Sequence, residues 1–213
     1  MPVDVLREMT CATRFGSLDE FLEKLKGDTY PEVPEEPHIS ITRQMVERVA
    51  GTRNLAPGAK ILDVGCGQGV ALELFVQRGF QPVGITLNDT DADVCRGKGF
   101  SVYQMDQSFL DFPDAEFDLV WCRHCLEHSI FPFFTLAGFS RVLKPGGQLY
   151  VEVPAPDTAS RHQANPNHYS VLGKSMWVQL LTRTGFEILD TVDIQFVSGF
   201  GPDLYWSFMA RKR

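Results

Sequence analysis

Residues 61–69, with the sequence ILDVGCGQG, constrain the fold of this chain more than any other stretch. The apolar residues before the first glycine predict a buried parallel strand. Glycines at 65, 67 and 69 predict a tight turn with positive backbone φ values. Apolar residues at helical spacing over 70–78 predict that a helix follows. A strand, a glycine turn and a helix N-terminus together predict a ligand site lined by backbone amides, of the kind that adenine cofactors occupy.

The spacing of the glycines distinguishes two classes of cofactor site. Nicotinamide and flavin proteins use G-x-G-x-x-G, whereas this chain has G-x-G-x-G with Asp63 two residues earlier. The stretch therefore resembles motif I of the class I S-adenosylmethionine-dependent methyltransferases. The resemblance implies S-adenosylmethionine as cofactor and S-adenosylhomocysteine as product. We expect the amides of Gly65, Cys66 and Gly67 to receive the cofactor carboxylate and Asp63 to lie near its ammonium group.

Three later stretches resemble the same family and occur in the family's order: F-D-L-V at 117–120, L-E-H at 126–128 and L-K-P-G-G-Q-L at 143–149. The resemblance covers roughly residues 39–211. It implies an α/β fold of the three-layer Rossmann-like methyltransferase type, with a mostly parallel seven-stranded sheet and an antiparallel C-terminal edge pair. We expect an N-terminal helical cap over residues 1–55 and a methyltransferase domain over 56–213.

Local patterns predict the individual elements. The spacing of Ser17 and Glu20 predicts a capping box at the start of a short helix. Apolar periodicity and turn residues predict the others. The expected strands lie at 81–86, 102–106, 117–122, 148–153, 187–197 and 204–210, and further helices at 39–50, 132–142 and 172–184.

The resemblance also implies which residues contact the cofactor. Most family members end the second strand with an acid that binds the ribose, but this chain has Thr86, Leu87 and Asn88 there. We expect Thr86 and Asn88 to bind the ribose, while Asp89 is either the N-cap of the next helix or a substitute acid.

The third strand should supply the adenine contacts. We expect Met105 to stack on the ring and Asp106 to accept a hydrogen bond from the adenine amino group. The alternative for Asp106 is a capped turn. Gln107 and Cys122 complete the predicted cofactor contacts.

The predicted function is methyl transfer to a small-molecule acceptor, with the methylated atom left open between oxygen, nitrogen and carbon. If the acceptor keeps its proton at neutral pH, a general base is needed. His124 is the first candidate and His168 the second. The alternatives are a non-catalytic cofactor-binding protein, or an enzyme that methylates a specific nucleic acid or protein.

His124, Glu127 and His128 form the pattern H-x-x-E-H. A similar E-x-x-E-H run, with a later histidine, holds a divalent metal in the small-RNA 2′-O-methylating enzymes. His168 would complete a four-ligand set here. We favour the ordinary L-E-H turn, without a metal.

The net charge of −7 argues against general nucleic-acid binding, because no basic stripe is available to neutralise phosphates. No apolar run approaches the roughly 20 residues that span a bilayer, so no membrane association is expected. We interpret the five cysteines as reduced thiols and expect a cytoplasmic protein. The sequence leaves the oligomeric state open.

Overall fold

The computed structural model describes residues 11–27, 29–52 and 55–213. The chain divides into two compact units, residues 1–30 and residues 31–213. The described part of the first unit contains helix α1, Cys11–Gly27. This helix begins before Ser17, so Ser17 is not an N-cap as the capping-box spacing predicted.

The second unit contains a seven-stranded sheet. Its strands are β1 (Lys60–Val64), β2 (Gln81–Thr86), β3 (Val102–Gln104), β4 (Phe117–Arg123), β5 (Leu143–Pro154), β6 (Phe186–Ser198) and β7 (Gly201–Lys212). Its helices are α2 (His38–Thr52), α3 (Val70–Gln77), α4 (Asp89–Gly97), α5 (Pro132–Val142) and α6 (Lys174–Arg183), with 3-10 helices η1 (Leu126–His128) and η2 (His162–Ala164).

The strands lie in the order β3-β2-β1-β4-β5-β7-β6. Strands β1 to β5 pair in parallel, whereas β7 is antiparallel to both β5 and β6. The predicted fold class is therefore confirmed. The chain moves outward from β1 to β3 and then returns to β4, so β1 and β4 flank the topological switch point. Ligands of open parallel sheets bind outside the carboxyl ends of the strands at such a point.

Alternate side chains of β4 enter apolar clusters on opposite faces of the sheet. Val120 and Cys122 belong to one cluster, the main core cluster, which also contains Phe139 of α5. Leu119 and Trp121 belong to the other. From the helices, this second cluster takes Ile41, Met45, Val46 and Val49 of α2 and Phe75 of α3. Helices therefore cover both faces, which gives the three expected layers.

Several boundaries differ from the sequence prediction. Strand β3 ends at Gln104 rather than 106, because a turn follows in which the amide of Phe109 donates to the carbonyl of Asp106 (3.1 Å). Helix α6 begins at Lys174 rather than 172. Strand β5 begins at Leu143 rather than 148, with a register shift opposite β4.

The hairpin between β6 and β7 is also tighter than predicted. Ser198 pairs with Gly201, so only two residues connect the strands, whereas the predicted strands 187–197 and 204–210 left residues 198–203 between them. Among the described helices, none is both long and apolar enough to cross a membrane.

Candidate active site at the carboxyl ends of the strands

The glycine turn after β1 has the backbone that its sequence predicts. Gly65, Gly67 and Gly69 have φ values of 70°, 48° and 88°. The amides of Gly65 and Cys66 both donate to the carbonyl of Ile85, at 2.9 and 3.0 Å. These two amides are satisfied within the fold. The expected contact of the turn with the cofactor carboxylate stays a prediction, and of the three predicted amides it now rests on Gly67.

Asp63 and Gly67 test whether the turn suits the implied cofactor. Asp63 is 2% exposed, and its Oδ2 atom has no hydrogen-bond partner among the described residues. Burial, and then the negative charges of Cys95 and Glu32, raise the pKa of Asp63 well above its usual value. A buried carboxyl oxygen without a partner is costly unless a ligand satisfies it. The ammonium group of S-adenosylmethionine has the chemistry to do so, and the site fits this cofactor.

Glu32 lies against the same turn and was not identified from the sequence. A Cβ atom on Gly67 would lie 3.2 Å from Glu32 Oε2. The backbone amide of Glu32 donates to the Asp91 carboxylate (3.1 Å to Oδ2), which holds the segment in place. Glu32 is exposed as a residue, and its Oε2 atom lies against the glycine turn at Gly67. Desolvation, and then the charge of Asp91, raise the pKa of Glu32 to about 7 against the opposing effect of Arg123.

No local pattern indicates a role for Glu32, because its partners lie far along the chain. Its neighbours in sequence are prolines and glutamates, which predicted an extended surface connection. The resemblance offered a partial signal, since the N-terminal helical cap expected over residues 1–55 includes Glu32.

The residues after β2 form a network that starts helix α4. The amide of Asn88 donates to Thr86 Oγ1 (3.2 Å). Asn88 Oδ1 accepts from the amide of Asp91 (3.1 Å), so Asn88 is the N-cap of α4. Asp89 is not the cap; it accepts from Gln104 Nε2 (2.5 Å). The Thr86 hydroxyl hydrogen and the Asn88 side-chain NH₂ retain donor capacity for a ribose.

Gln104 Nε2 also donates to the Leu87 carbonyl (3.2 Å). This bond, together with the contact to Asp89, ties the end of β3 to the start of α4. Leu87 takes part in this tie through its backbone carbonyl, and its place in the cofactor site stays a prediction.

Met105 and Asp106 lie just beyond β3. Asp106 Oδ1 accepts from the amide of Ser108 (2.6 Å), so the capped turn that was the alternative for this aspartate is present. Met105 packs against the main core cluster, and its sulfur accepts from the amide of Asp111 (3.3 Å). Asp106 Oδ2 is the carboxylate oxygen left for an adenine amino group.

Gln107 and Cys122 complete the predicted cofactor contacts. Gln107 Nε2 donates to the Cys125 carbonyl (2.8 Å), while its Oε1 atom has no partner among the described residues. Cys122 is fully buried within the main core cluster. Its thiol therefore packs in the core, and its backbone is the part of it that can border the cleft.

His124 follows β4 and pairs with Glu152 of β5. His124 Nε2 lies 2.8 Å from Glu152 Oε1, and Arg123 Nε lies 2.9 Å from the same oxygen. The Tyr150 hydroxyl donates to Glu152 Oε2 (2.6 Å). Burial alone would raise the pKa of Glu152, but Arg123 and the bonds from His124 and Tyr150 lower it to about 2. Glu152 is therefore ionised, and its Oε1 atom accepts a hydrogen bond from the protonated Nε2 atom of His124.

Burial, and then the charge of Arg123, lower the pKa of His124 to about 3. The ring is neutral at neutral pH, with Nδ1 as its acceptor atom. His124 also has φ 51°, a strained value for a residue with a side chain. The bond to Glu152 fixes the orientation of the ring.

Aromatic rings surround His124. Tyr205 of β7 packs edge-on at 4.1 Å between ring centroids, and His38 at the start of α2 packs at 5.1 Å. Phe196 of β6 contacts both of these rings. Two structural layers thus meet at the strand ends to form an apolar and aromatic wall.

All five histidines of the chain lie in one connected group of rings. Tyr205 also contacts His162 (5.5 Å), which stacks on His168 (5.7 Å). His168 in turn packs edge-on against His128 (4.7 Å). His124 and His168, the two predicted base candidates, thus lie in the same cluster and are linked through Tyr205 and His162.

The four residues of the hypothetical metal set are not all brought together. One ligand atom each from Glu127, His128 and His168 lie within 4.8 Å of one another. The pairing of His124 with Glu152 accounts for its Nε2 atom. The four-ligand set is therefore corrected to three residues.

Comparison with known proteins identifies the family. A family model described as a methyltransferase domain matches residues 39–191, more than half of the chain. The chain belongs to the class I S-adenosylmethionine-dependent methyltransferases.

Individual relatives match less of this chain than the family model does. The ubiquinone biosynthesis O-methyltransferase of Hahella chejuensis is 36% identical over 105 residues, which is 46% of this chain and 44% of that protein. The chain thus spans about half the length of the curated relatives it matches.

Two solved structures show the same fold. The geranyl diphosphate C-methyltransferase of Streptomyces coelicolor A3(2), solved with Mg²⁺, geranyl diphosphate and S-adenosyl-L-homocysteine, has a TM-score of 0.69 at 15% identity over 82% of this chain and 79% of that one. The [4+2]-cyclase SpnF has a TM-score of 0.68 at 21% identity over 94% of each chain.

Proposed function

We propose that this protein transfers the methyl group of S-adenosylmethionine to a hydroxyl oxygen of a small molecule. The observation that carries the proposal is the His124–Glu152 pair, which stands at the strand ends within an aromatic wall. Family membership and the curated O-methyltransferase relative support the same reaction.

Under this proposal the cofactor supplies an activated methyl group on a sulfonium. Gly67, Asp63 and Glu32 hold its methionine end, and Thr86 and Asn88 hold its ribose. Met105 and Asp106 hold the adenine, with Gln107 and the backbone of Cys122 nearby. Binding in this way contributes mainly alignment, which can supply roughly 7–11 kcal/mol in reactions of this type.

His124 orients the acceptor in this proposal. With Glu152 bound at Nε2, the neutral ring offers Nδ1 as an acceptor for the hydroxyl proton. Its pKa of about 3 makes it a weak base. We therefore assign His124 to hydrogen bonding with the acceptor hydroxyl and to positioning it, and not to complete removal of its proton. His168 lies in the same ring cluster as a further polar group on the acceptor side.

Calorimetry and an activity screen test the proposal together. We expect S-adenosylmethionine and S-adenosylhomocysteine to bind, and phenolic or catecholic acceptors to release S-adenosylhomocysteine. His124→Asn should lower kcat by about tenfold, the effect of one lost hydrogen bond to the acceptor, with cofactor affinity unchanged. Loss of cofactor affinity in this variant would place His124 in the cofactor site instead.

A second candidate is a cofactor-binding protein that does not transfer methyl groups. The shared fold of the [4+2]-cyclase SpnF and the weak basicity of His124 support this candidate. It predicts tight cofactor binding without S-adenosylhomocysteine release for any acceptor, including amines, nucleic acids and proteins.

We also propose that the stretch 31–37 and helix α2 act as the cap over the cofactor cleft. Glu32 and His38, which reach Gly67 and His124 respectively, support this role. The predicted cap over residues 1–55 includes both.

A further inference from the structure

Glu127, His128 and His168 form a compact cluster of metal-ligating groups. One ligand atom from each residue lies within 4.8 Å of the other two. Glu127 and His128 belong to η1, directly after β4, whereas His168 comes from the loop before α6. The topology therefore brings residues about 40 positions apart to one point.

Two atoms of this cluster have no protein partner among the described residues. Glu127 is 2% exposed, and its Oε2 atom accepts no hydrogen bond. Nδ1 of His168 is likewise buried without a partner. A buried carboxylate or imidazole nitrogen that is left unsatisfied is costly, and a cation between them would satisfy both.

The surrounding hydrogen bonds orient the residues of the cluster toward one another. His128 Nδ1 lies 2.8 Å from the Asn167 carbonyl, which accepts its proton and leaves Nε2 with a lone pair. Metal-ligating histidines are typically oriented in this way by a carbonyl on the other nitrogen. The amide of Ser170 donates to the Glu127 carbonyl (2.9 Å), and its hydroxyl donates to the Ser129 carbonyl (2.6 Å). These bonds fasten the His168 loop to η1.

We propose that Glu127, His128 and His168 bind one divalent transition-metal ion of the zinc type. Two imidazoles and one carboxylate are a ligand set that suits zinc and similar borderline ions. Three protein ligands leave a coordination position open, as in catalytic zinc sites. This assignment differs from the set that the H-x-x-E-H pattern suggests, because His124 is bound to Glu152 instead.

If the proposed O-methylation also holds, the open position would accept the acceptor hydroxyl and lower its pKa. That role would complement His124, which is a weak base. Metal binding can be measured without the cofactor, so the two proposals fail independently.

The experiment is a zinc titration of the full chain, prepared without a histidine tag and stripped with chelator. Bound metal is measured by mass spectrometry and binding by calorimetry, with no cofactor present. We expect about one equivalent of zinc in the wild type. Glu127→Gln and His168→Asn should each weaken binding by at least about tenfold. His124→Asn is the matched control and should bind zinc as the wild type does.

Thermal unfolding separates ligation from a structural role. Zinc should raise the Tm of the wild type and of His124→Asn, because a ligand of the native state stabilises it. Zinc should leave the Tm of the folded Glu127→Gln variant unchanged. The proposal is overturned if the wild type takes up less than about a tenth of an equivalent, if Glu127→Gln binds zinc normally, or if His124→Asn loses zinc as fully as the other variants.

Discussion

Gly67 meets two constraints that no larger residue meets together. Its φ of 48° is in the left-handed region, and an added Cβ would lie 3.2 Å from Glu32 Oε2. We expect Gly67→Val to abolish S-adenosylmethionine binding in calorimetry, because a β-branched side chain both strains this backbone and fills the cleft. Gly79→Ala is the control. Gly79 also has a positive φ, but nothing lies within 4 Å of its would-be Cβ, so that variant should lose stability and keep its affinity.

Asn88 has a structural role beside its proposed ribose contact. Its side chain caps α4 through the amide of Asp91. Asn88→Ala should lower the free energy of unfolding by about 1 kcal/mol in urea denaturation, the usual effect of losing an N-cap. Asn88→Asp should retain that stability, because aspartate caps equally well. Equal losses in the two variants would show that the cap contributes little.

Some site residues could be predicted from the sequence and others could not. Asp63 and the three glycines were found because the motif holds them within seven positions. Glu32 and Glu152 were missed, because each acts on a partner about 30 or more residues away. The His124–Glu152 pair exists only after β4 and β5 align in parallel, with Arg123 opposite Glu152. No local spacing encodes that register.

At the scale of elements, the stretch before α2 brings a titrating acid into the cleft. Glu32 has a pKa of about 7 in the free protein, beside Asp63, Asp91 and Arg123. Ionised Glu32 attracts the positive charges of S-adenosylmethionine, and neutral Glu32 does not. Affinity should therefore increase as the pH rises from 6 to 8, with a proton released on binding. Calorimetry in buffers of different ionisation enthalpy measures both quantities.

Glu32→Gln should flatten this pH dependence, leaving only the contribution of Asp63. An affinity that falls with rising pH in the wild type would contradict a cofactor role for Glu32. The same pH range with Glu47→Gln, an exposed acid of α2 paired with Arg78, provides a matched control.

The elements themselves were largely predictable. Strands β1, β2 and β4 and helices α2, α3 and α5 follow apolar periodicity, which burial on the two faces of the sheet enforces. The errors fall at ends, where side-chain hydrogen bonds decide. Asp106 turns the chain after β3, and the β6–β7 hairpin closes at Ser198 and Gly201 because the strands pair almost to their ends.

At the scale of the whole molecule, the sheet order gathers residues that the sequence spreads widely. Histidines from α2, from the end of β4 and from the loop after β5 converge with Tyr205 at one edge. The resemblance implied the fold of the sheet, and with it the sheet edge at which these residues meet. The contacts among these rings depend on loop paths and on β7, which carries no motif.

The two ways of dividing the chain lead to a test by truncation. Residues 31–213 form one compact unit that includes α2, whereas the predicted domain boundary lies at 55/56. Helix α2 buries Ile41, Met45, Val46 and Val49 against the sheet. Full burial of such side chains contributes about 1.5–3 kcal/mol each, comparable in sum with the whole stability of a domain.

We therefore expect a fragment of residues 31–213 to unfold cooperatively in urea and to bind S-adenosylmethionine as the full chain does. A fragment of residues 56–213 exposes the apolar surface beneath α2, so it should aggregate or unfold.

A third fragment, 38–213, keeps α2 but lacks Glu32. It should fold with near-full stability and lose cofactor affinity, since its core is intact and its cleft has lost an acid. Folding of 56–213 with unchanged stability would show that α2 is a separable cap and not part of the core.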